Sequence, residues 1–186
     1  MREISVFSCQ KASDFDDIES YIKMSLPWAR VQNINKFSTT ISRTHLAVSK
    51  ALHDKPEKRS MIQRDLLLQI GQKTQAVQTQ DTKQAAFVAQ KAYESVYVPY
   101  ISGYNIALDV KGETLSSQEL AKVLSNHSRI NIFIGGAYGF SNEFKGQMQK
   151  LISLSSLTMA HKIAKLVLFE QIYRALSINA NHPYHK

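Results

Sequence analysis

At 186 residues, with 44% apolar and 20% charged side chains, the chain has the length of one domain with a substantial core, which excludes two full domains and wholesale disorder. Its 23 Lys and Arg against 15 Asp and Glu give a formal charge of +8, which points to a polyanionic partner, because clustered cations gain affinity by releasing counterions from phosphates. Composition alone does not separate RNA from DNA or from an anionic membrane. Cys9 is the sole cysteine, which excludes an internal disulfide and a Cys-based zinc site and fits a reducing cytoplasm. The first eight residues carry too short an apolar stretch for a signal peptide, and no later run approaches the ~20 apolar residues of a membrane span, so a soluble cytoplasmic protein without a membrane partner is expected.

In chain order, Ile4, Val6 and Phe7 read as a first buried strand. Residues 14–24, with Phe15, Ile18 and Ile22 at helical spacing, read as the first helix, closed by Pro27. Residues 31–37 read as a second strand. From 42 to 98 no convincing strand occurs and helix formers dominate. Leu66, Leu67, Leu68 and Ile70 carry the apolar weight of that stretch, whereas 55–59 and 74–83 are polar and read as a loop or a frayed connection. A mild glutamine bias at 72, 75, 78, 80 and 84 suits a solvated helical face.

Beyond Tyr104 short apolar runs alternate with Gly and Ser, the pattern of alternating strands and helices. Tyr104 to Leu108 is predicted as a strand ending at Asp109-Val110-Lys111-Gly112. Ser116 followed by Glu119 forms a capping box that opens a helix to about Ser125, with Leu120 and Leu124 facing inward. Ile130 to Ile134 is the next strand and runs into Gly135-Gly136-Ala137-Tyr138-Gly139-Phe140. Ser141 caps another helix, 151–157 looks strand-like, and 161–178 is a long amphipathic helix before the tail. The C-terminal half is therefore α/β, with a mostly parallel sheet covered by helices.

All seven glycines lie after residue 70, and three fall between 135 and 139, at the carboxyl end of a strand. Open α/β sheets bind ligands beyond those ends, and glycine lets a backbone approach a ligand where a Cβ would collide. For a lone Gly-Gly-x-x-Gly, a tight strand-to-helix turn is the better explanation. A dinucleotide fingerprint usually follows the first strand, but no glycine follows Val6-Phe7-Ser8-Cys9, and no Gly-Lys-Ser/Thr phosphate loop occurs.

Five blocks in one order narrow the reading: Leu108-Asp109-x-x-Gly112; Phe133-Ile134-Gly135-Gly136-Ala137-Tyr138-Gly139; Leu154-Ser155-Ser156-Leu157-Thr158-Met159-Ala160-His161; Glu170-Gln171-Ile172-Tyr173-Arg174-Ala175; and Asn181-His182-Pro183-Tyr184-His185-Lys186. Together they resemble the bacterial 23S rRNA pseudouridine-N3-methyltransferases of the SPOUT superfamily. The resemblance is dense from about residue 100 to 186 and weaker over the first forty residues. It implies one α/β domain over 1–186, a SPOUT-type parallel sheet flanked by helices with a C-terminal trefoil knot, an exception to the rule that chains do not thread loops. Members of that family are usually shorter, so 55–83 looks like a helical insertion.

The resemblance further implies S-adenosylmethionine as cofactor, folded across loops at Leu108, at Gly135 and Gly136, and at Leu154, Ser155, Ser156, Leu157, Thr158 and Met159. The implied substrate is N3 of a pseudouridine in a stem-loop of 23S rRNA, within the large subunit or the assembled ribosome. In this reading Tyr184 and His185 position the substrate, with His161 and His182 as further polar candidates and the proton-accepting group open. Arg174 contacts RNA phosphate or anchors the tail, or else pairs with Glu170 four residues earlier. The three-residue spacing of His182 and His185 lacks an accompanying Cys or carboxylate cluster, so no metal site is expected. The family acts as a homodimer in which one subunit's tail completes the other's pocket. Leu166, Phe169, Ile172 and Tyr173 suit either that interface or the core. Rival readings are a knotted methyltransferase acting on another RNA such as tRNA, and a non-catalytic RNA-binding or ribosome-associated protein of the same fold.

Overall fold

The computed structural model describes residues 1–9, 14–36 and 78–185, with backbone alone at 78–83. Most of the insertion-like stretch at 55–83, the apolar run at 66–70 and Lys186 lie outside the described residues. The elements in chain order are β1 (Arg2–Ser8), α1 (Asp16–Ser25), β2 (Ala29–Asn35), α2 (Gln78–Tyr97) with a 3-10 turn at Val98–Tyr100, β3 (Tyr104–Thr114), α3 (Ser117–Ser125), β4 (Arg129–Ile134), α4 (Asn142–Lys145), β5 (Lys150–Ser153) and α5 (His161–Asn179).

The five strands form one sheet in the order β2-β1-β4-β3-β5, and every neighbouring pair is parallel. Alternate residues serve opposite faces, as the two-residue period of a strand requires. Ile4, Val6, Ile106, Ile130, Ile132 and Ile134 pack with Ile18 of α1, Leu120 and Leu124 of α3, and Leu168, Phe169 and Ile172 of α5. Phe7, Ala107 and Phe133 meet Ala89, Tyr93 and Tyr97 of α2 on the other face, with Phe140 and Phe144 closing the cluster. Helices on both faces explain why the central strands read as near-continuous apolar runs. Each such side chain, fully buried, contributes about 1.5–3 kcal/mol.

The structure refines several sequence expectations. The strand predicted to end at 109–112 continues to Thr114 through a register shift, pairing Leu108 and then Glu113 with Ile152. Gly112 sits at that irregularity, where a Cβ would lie 2.7 Å from the backbone of Leu151 and Ile152. The strand expected over 151–157 is confined to Lys150–Ser153, and residues 154–157 are loop, because Ser153 Oγ donates to Ser155 O (2.8 Å) and Leu157 N to Ser155 Oγ (3.0 Å), turning the chain. The second strand is Ala29–Asn35 rather than 31–37, and 78–83, expected as loop or frayed, continue the helix of α2. Ser141 caps a helix of only four residues. The Ser116–Glu119 capping box forms as predicted.

The first helix begins at Asp16 rather than at residue 14, because Asp14 is drawn elsewhere. Lys165 of α5 is fully buried and donates to both Asp14 carboxylate oxygens at 2.8 Å, while Asn33 of β2 donates to Oδ2 at 2.8 Å. Burial alone raises the Asp14 pKa, but the bonds from Lys165 and Asn33 outweigh it and hold the carboxyl below its usual range. Burial lowers the pKa of Lys165, and the Asp14 bond and charge oppose that shift. The pair ties the loop before α1 and β2 to the first turns of α5.

Candidate active site

Because all five strands are parallel, their carboxyl ends share one edge, and there the ends of β3, β4 and β5 open into a cleft of about 520 Å³. Leu108 comes from β3, Gly135 and Gly136 from the loop after β4, and Leu154, Ser155, Leu157, Thr158 and Met159 from the loop after β5. His161 and Ala164, in the first turn of α5, close the cleft. The structure thus brings eight of the nine expected cofactor residues together; Ser156 is absent from the lining. Leu108 and Leu154 also pack against the core, whereas Leu157 is 75% exposed at the cleft mouth.

The glycines have a reason that sequence alone did not supply. A Cβ at Gly136 would stand 2.7 Å from the Tyr93 ring, and one at Gly135 would stand 3.2 Å from Phe140. Their smallness lets α2 and Phe140 pack directly behind the loop. Four residues of α2 at helical spacing hold it there: Gln90 Nε2 donates to Tyr138 O (2.9 Å), the Tyr93 hydroxyl donates to Gly139 O, Glu94 accepts from Ser141 N (2.6 Å) and Oγ (2.9 Å), and the Tyr97 hydroxyl donates to Ile134 O (3.0 Å). Burial pushes both tyrosine pKa values up, so both phenols remain donors. This support was missed in the sequence, although Gln90, Tyr93, Glu94 and Tyr97 form an i, i+3, i+4, i+7 stripe that marks one helix face. Of the three glycines in this loop, Gly139 adopts the left-handed backbone, with φ 62°.

Sequence reading also missed a charged corner. Asp109 and Lys145 line the cleft and pair at 3.2 Å, with side chains 11% and 23% exposed. Asp109 Oδ1 accepts from Lys111 N at 2.8 Å. Burial raises this carboxyl, yet the Lys111 amide and the Lys145 ammonium outweigh it and keep it below its usual range.

The tail residues gather elsewhere. Arg174 donates through Nε (2.9 Å) and Nη2 (2.6 Å) to Glu170 Oε1 and lies 4.8 Å from the Tyr184 ring centroid. The Tyr184 hydroxyl donates to the same oxygen at 3.1 Å, and its ring meets Tyr173 at 4.6 Å. Burial and the Glu170 carboxylate push the Tyr184 pKa up to about 12. His182 meets Trp28 edge-on at 5.2 Å, and His185 Nε2 lies 3.2 Å from Gln118 Nε2. None of Arg174, His182, Tyr184 and His185 lines the cleft of their own chain. Phe169, Ile172 and Tyr173 are buried in this one chain, and Leu166 is half-buried against the same core. Among the described residues no group of three or more His, Cys, Asp or Glu is arranged to hold a metal ion, and no helix is long and apolar enough to cross a membrane.

A parallel sheet whose carboxyl ends frame a glycine-rich cleft agrees with the family comparison. A family model described as "Predicted SPOUT methyltransferase" matches residues 18–185. The chain belongs to the SPOUT methyltransferase family, and it is an enzyme of methyl transfer. It is 44% identical over 177 residues to Ribosomal RNA large subunit methyltransferase H of Campylobacter fetus subsp. fetus, covering 95% of this chain and 94% of that protein. The protein of the same name from Campylobacter concisus is 43% identical over 187 residues, with 99% of each chain covered. That from Campylobacter jejuni subsp. jejuni is 35% identical over 185 residues, again with 99% of each covered.

Proposed function

We propose that this chain transfers the methyl group of S-adenosylmethionine to N3 of a pseudouridine in a stem-loop of 23S rRNA, within the large subunit or assembled ribosome in the cytoplasm. It works as a homodimer in which one subunit's tail completes the other's cleft, and a C-terminal trefoil knot belongs to the same reading. The observation that carries the proposal is the meeting of residues 108–111 of β3 with the loops after β4 and β5 in one cleft of about 520 Å³. A pocket of this size, mostly apolar with a few polar groups, suits a nucleoside-sized ligand.

The residues present fit the cofactor. Leu108, Leu154, Leu157 and Met159 offer apolar faces for an adenine, and backbone groups at 135–136 and 154–159 offer donors and acceptors for its edge. When bound, the cofactor supplies an electrophilic methyl on a sulfonium. What the protein adds is position: the acceptor nitrogen has to be held about 3–3.5 Å from that carbon, which supplies much of the rate. The imide must also lose its proton. Tyr184, with its pKa near 12 and its proton directed at Glu170, serves as a positioning group rather than as the base. Arg174 and the tail imidazoles suit phosphate contacts and base stacking. The formal charge of +8 favours the same polyanion.

The test is transfer of tritiated methyl from S-adenosylmethionine to ribosomes and large subunits that lack the modification, beside a tRNA arm. Label in 23S rRNA is expected. Label confined to tRNA would overturn the substrate, and no transfer to any RNA would overturn the activity.

A further inference from the structure

Asp109 and Lys145 form an ion pair within a cleft whose lining also includes Lys111, Tyr138, Thr158 and His161 beside the leucines and Met159. The two residues reach it from different elements, Asp109 from β3 and Lys145 from the last turn of α4. Each is mostly withdrawn from solvent, and they lie 3.2 Å apart. Partial burial strengthens their attraction but deprives both of hydration, so a ligand bringing one charge of each sign can replace the pair without leaving either unpaired. The cofactor has such an end, an ammonium and a carboxylate on one carbon.

We infer that Asp109 and Lys145 form the subsite for the amino-acid end of the cofactor, with Asp109 accepting from its ammonium and Lys145 donating to its carboxylate. This deepens the cofactor reading and rests on it. The Lys145 ammonium occupies, in the ligand-free chain, the place beside Asp109 that the ligand's ammonium takes. Lys111 holds the other Asp109 oxygen through its backbone amide, so the carboxylate stays oriented during the exchange.

Calorimetry on the full-length protein with two ligands tests this without catalysis: S-adenosylhomocysteine, which carries the amino-acid end, and 5′-methylthioadenosine, which lacks it. Wild type should bind the first at least about tenfold more tightly, the scale of a charge-assisted hydrogen bond. Asp109→Asn and Lys145→Met should each compress that ratio to within about threefold while leaving 5′-methylthioadenosine affinity within about twofold, and Asp109→Glu should restore part of it. A ratio unchanged in both variants, or both ligands weakened equally, makes the pair a structural tie and overturns the inference. Equal binding of the two ligands to wild type overturns the inference alone; no binding of either overturns the cofactor reading with it.

Discussion

The cleft and the tail cluster are built on opposite plans. Around the cleft the chain presents loop backbone, fixed from behind by α2 through hydrogen bonds to Tyr138, Gly139, Ser141 and Ile134. The tail is a set of exposed and half-buried side chains leaning on one carboxylate, Glu170, and on Trp28, Tyr173 and Gln118. A rigid backbone site suits a ligand that must be held in one shape. A side-chain cluster held by a few polar contacts suits a group that has to engage a second macromolecule. Helix α5 joins the two, since His161 and Ala164 line the cleft and Glu170, Tyr173 and Arg174 carry the tail.

Disrupting the anchor of α5 should have the largest effect. Asp14→Asn leaves the buried Lys165 ammonium without its counter-charge, and thermal or denaturant unfolding should show a loss of about 3 kcal/mol, the low end of the range for a buried pair because Asp14 keeps 22% of its surface. The sign of the pH dependence is set by Asp14. Its folded pKa lies below the ordinary 3.8, so its stabilisation is present above that value and is lost as pH falls through the folded pKa. Acid unfolding of wild type should therefore carry a component below pH 3.8 that Asp14→Asn lacks.

Next in size is truncation after Asn181. Methyl transfer should fall by about 100-fold or more, while cofactor affinity by calorimetry stays within about threefold, because positioning is lost and the cleft is not. A matching loss of cofactor affinity would erase the division between the two regions. Glu94→Ala removes the acceptor of Ser141 N and Oγ, and should cost about 1–3 kcal/mol of stability and raise the KM for cofactor more than it lowers kcat. The smallest effect is expected for Tyr184→Phe, which loses the hydroxyl's bond to Glu170 and its contact with Tyr21: about 1 kcal/mol or less in unfolding, with the change read in kcat.

The two regions were also legible in the sequence to different degrees. Strand runs such as Ile130 to Ile134, the Ser116–Glu119 box and the long last helix announced themselves because period and capping are local. The loops that line the cleft were legible through the resemblance and the glycine pattern, but the reason for Gly136 was not, since Tyr93 lies far away in the chain. Asp109 stands in the first of the five blocks, but its pairing with Lys145 was not legible, because only the fold brings the two together. For the tail the residue types were evident and the geometry was not: the Arg174–Glu170 pair was foreseen as one option, whereas the contacts with Trp28 and Gln118 depend on tertiary packing. The continuation of β3 past Gly112 was hidden because glycine reads locally as a turn.

The division of labour between cleft and tail is tested most directly by mixing two inactive variants. One blocks the cleft with Thr158→Trp and keeps its tail; the other keeps its cleft and ends after Asn181. Neither should methylate ribosomes alone. After exchange of subunits in equal amounts, half of the dimers are mixed and each carries one complete site of two, so about a quarter of wild-type activity should return. No recovery in demonstrably mixed dimers would contradict the account.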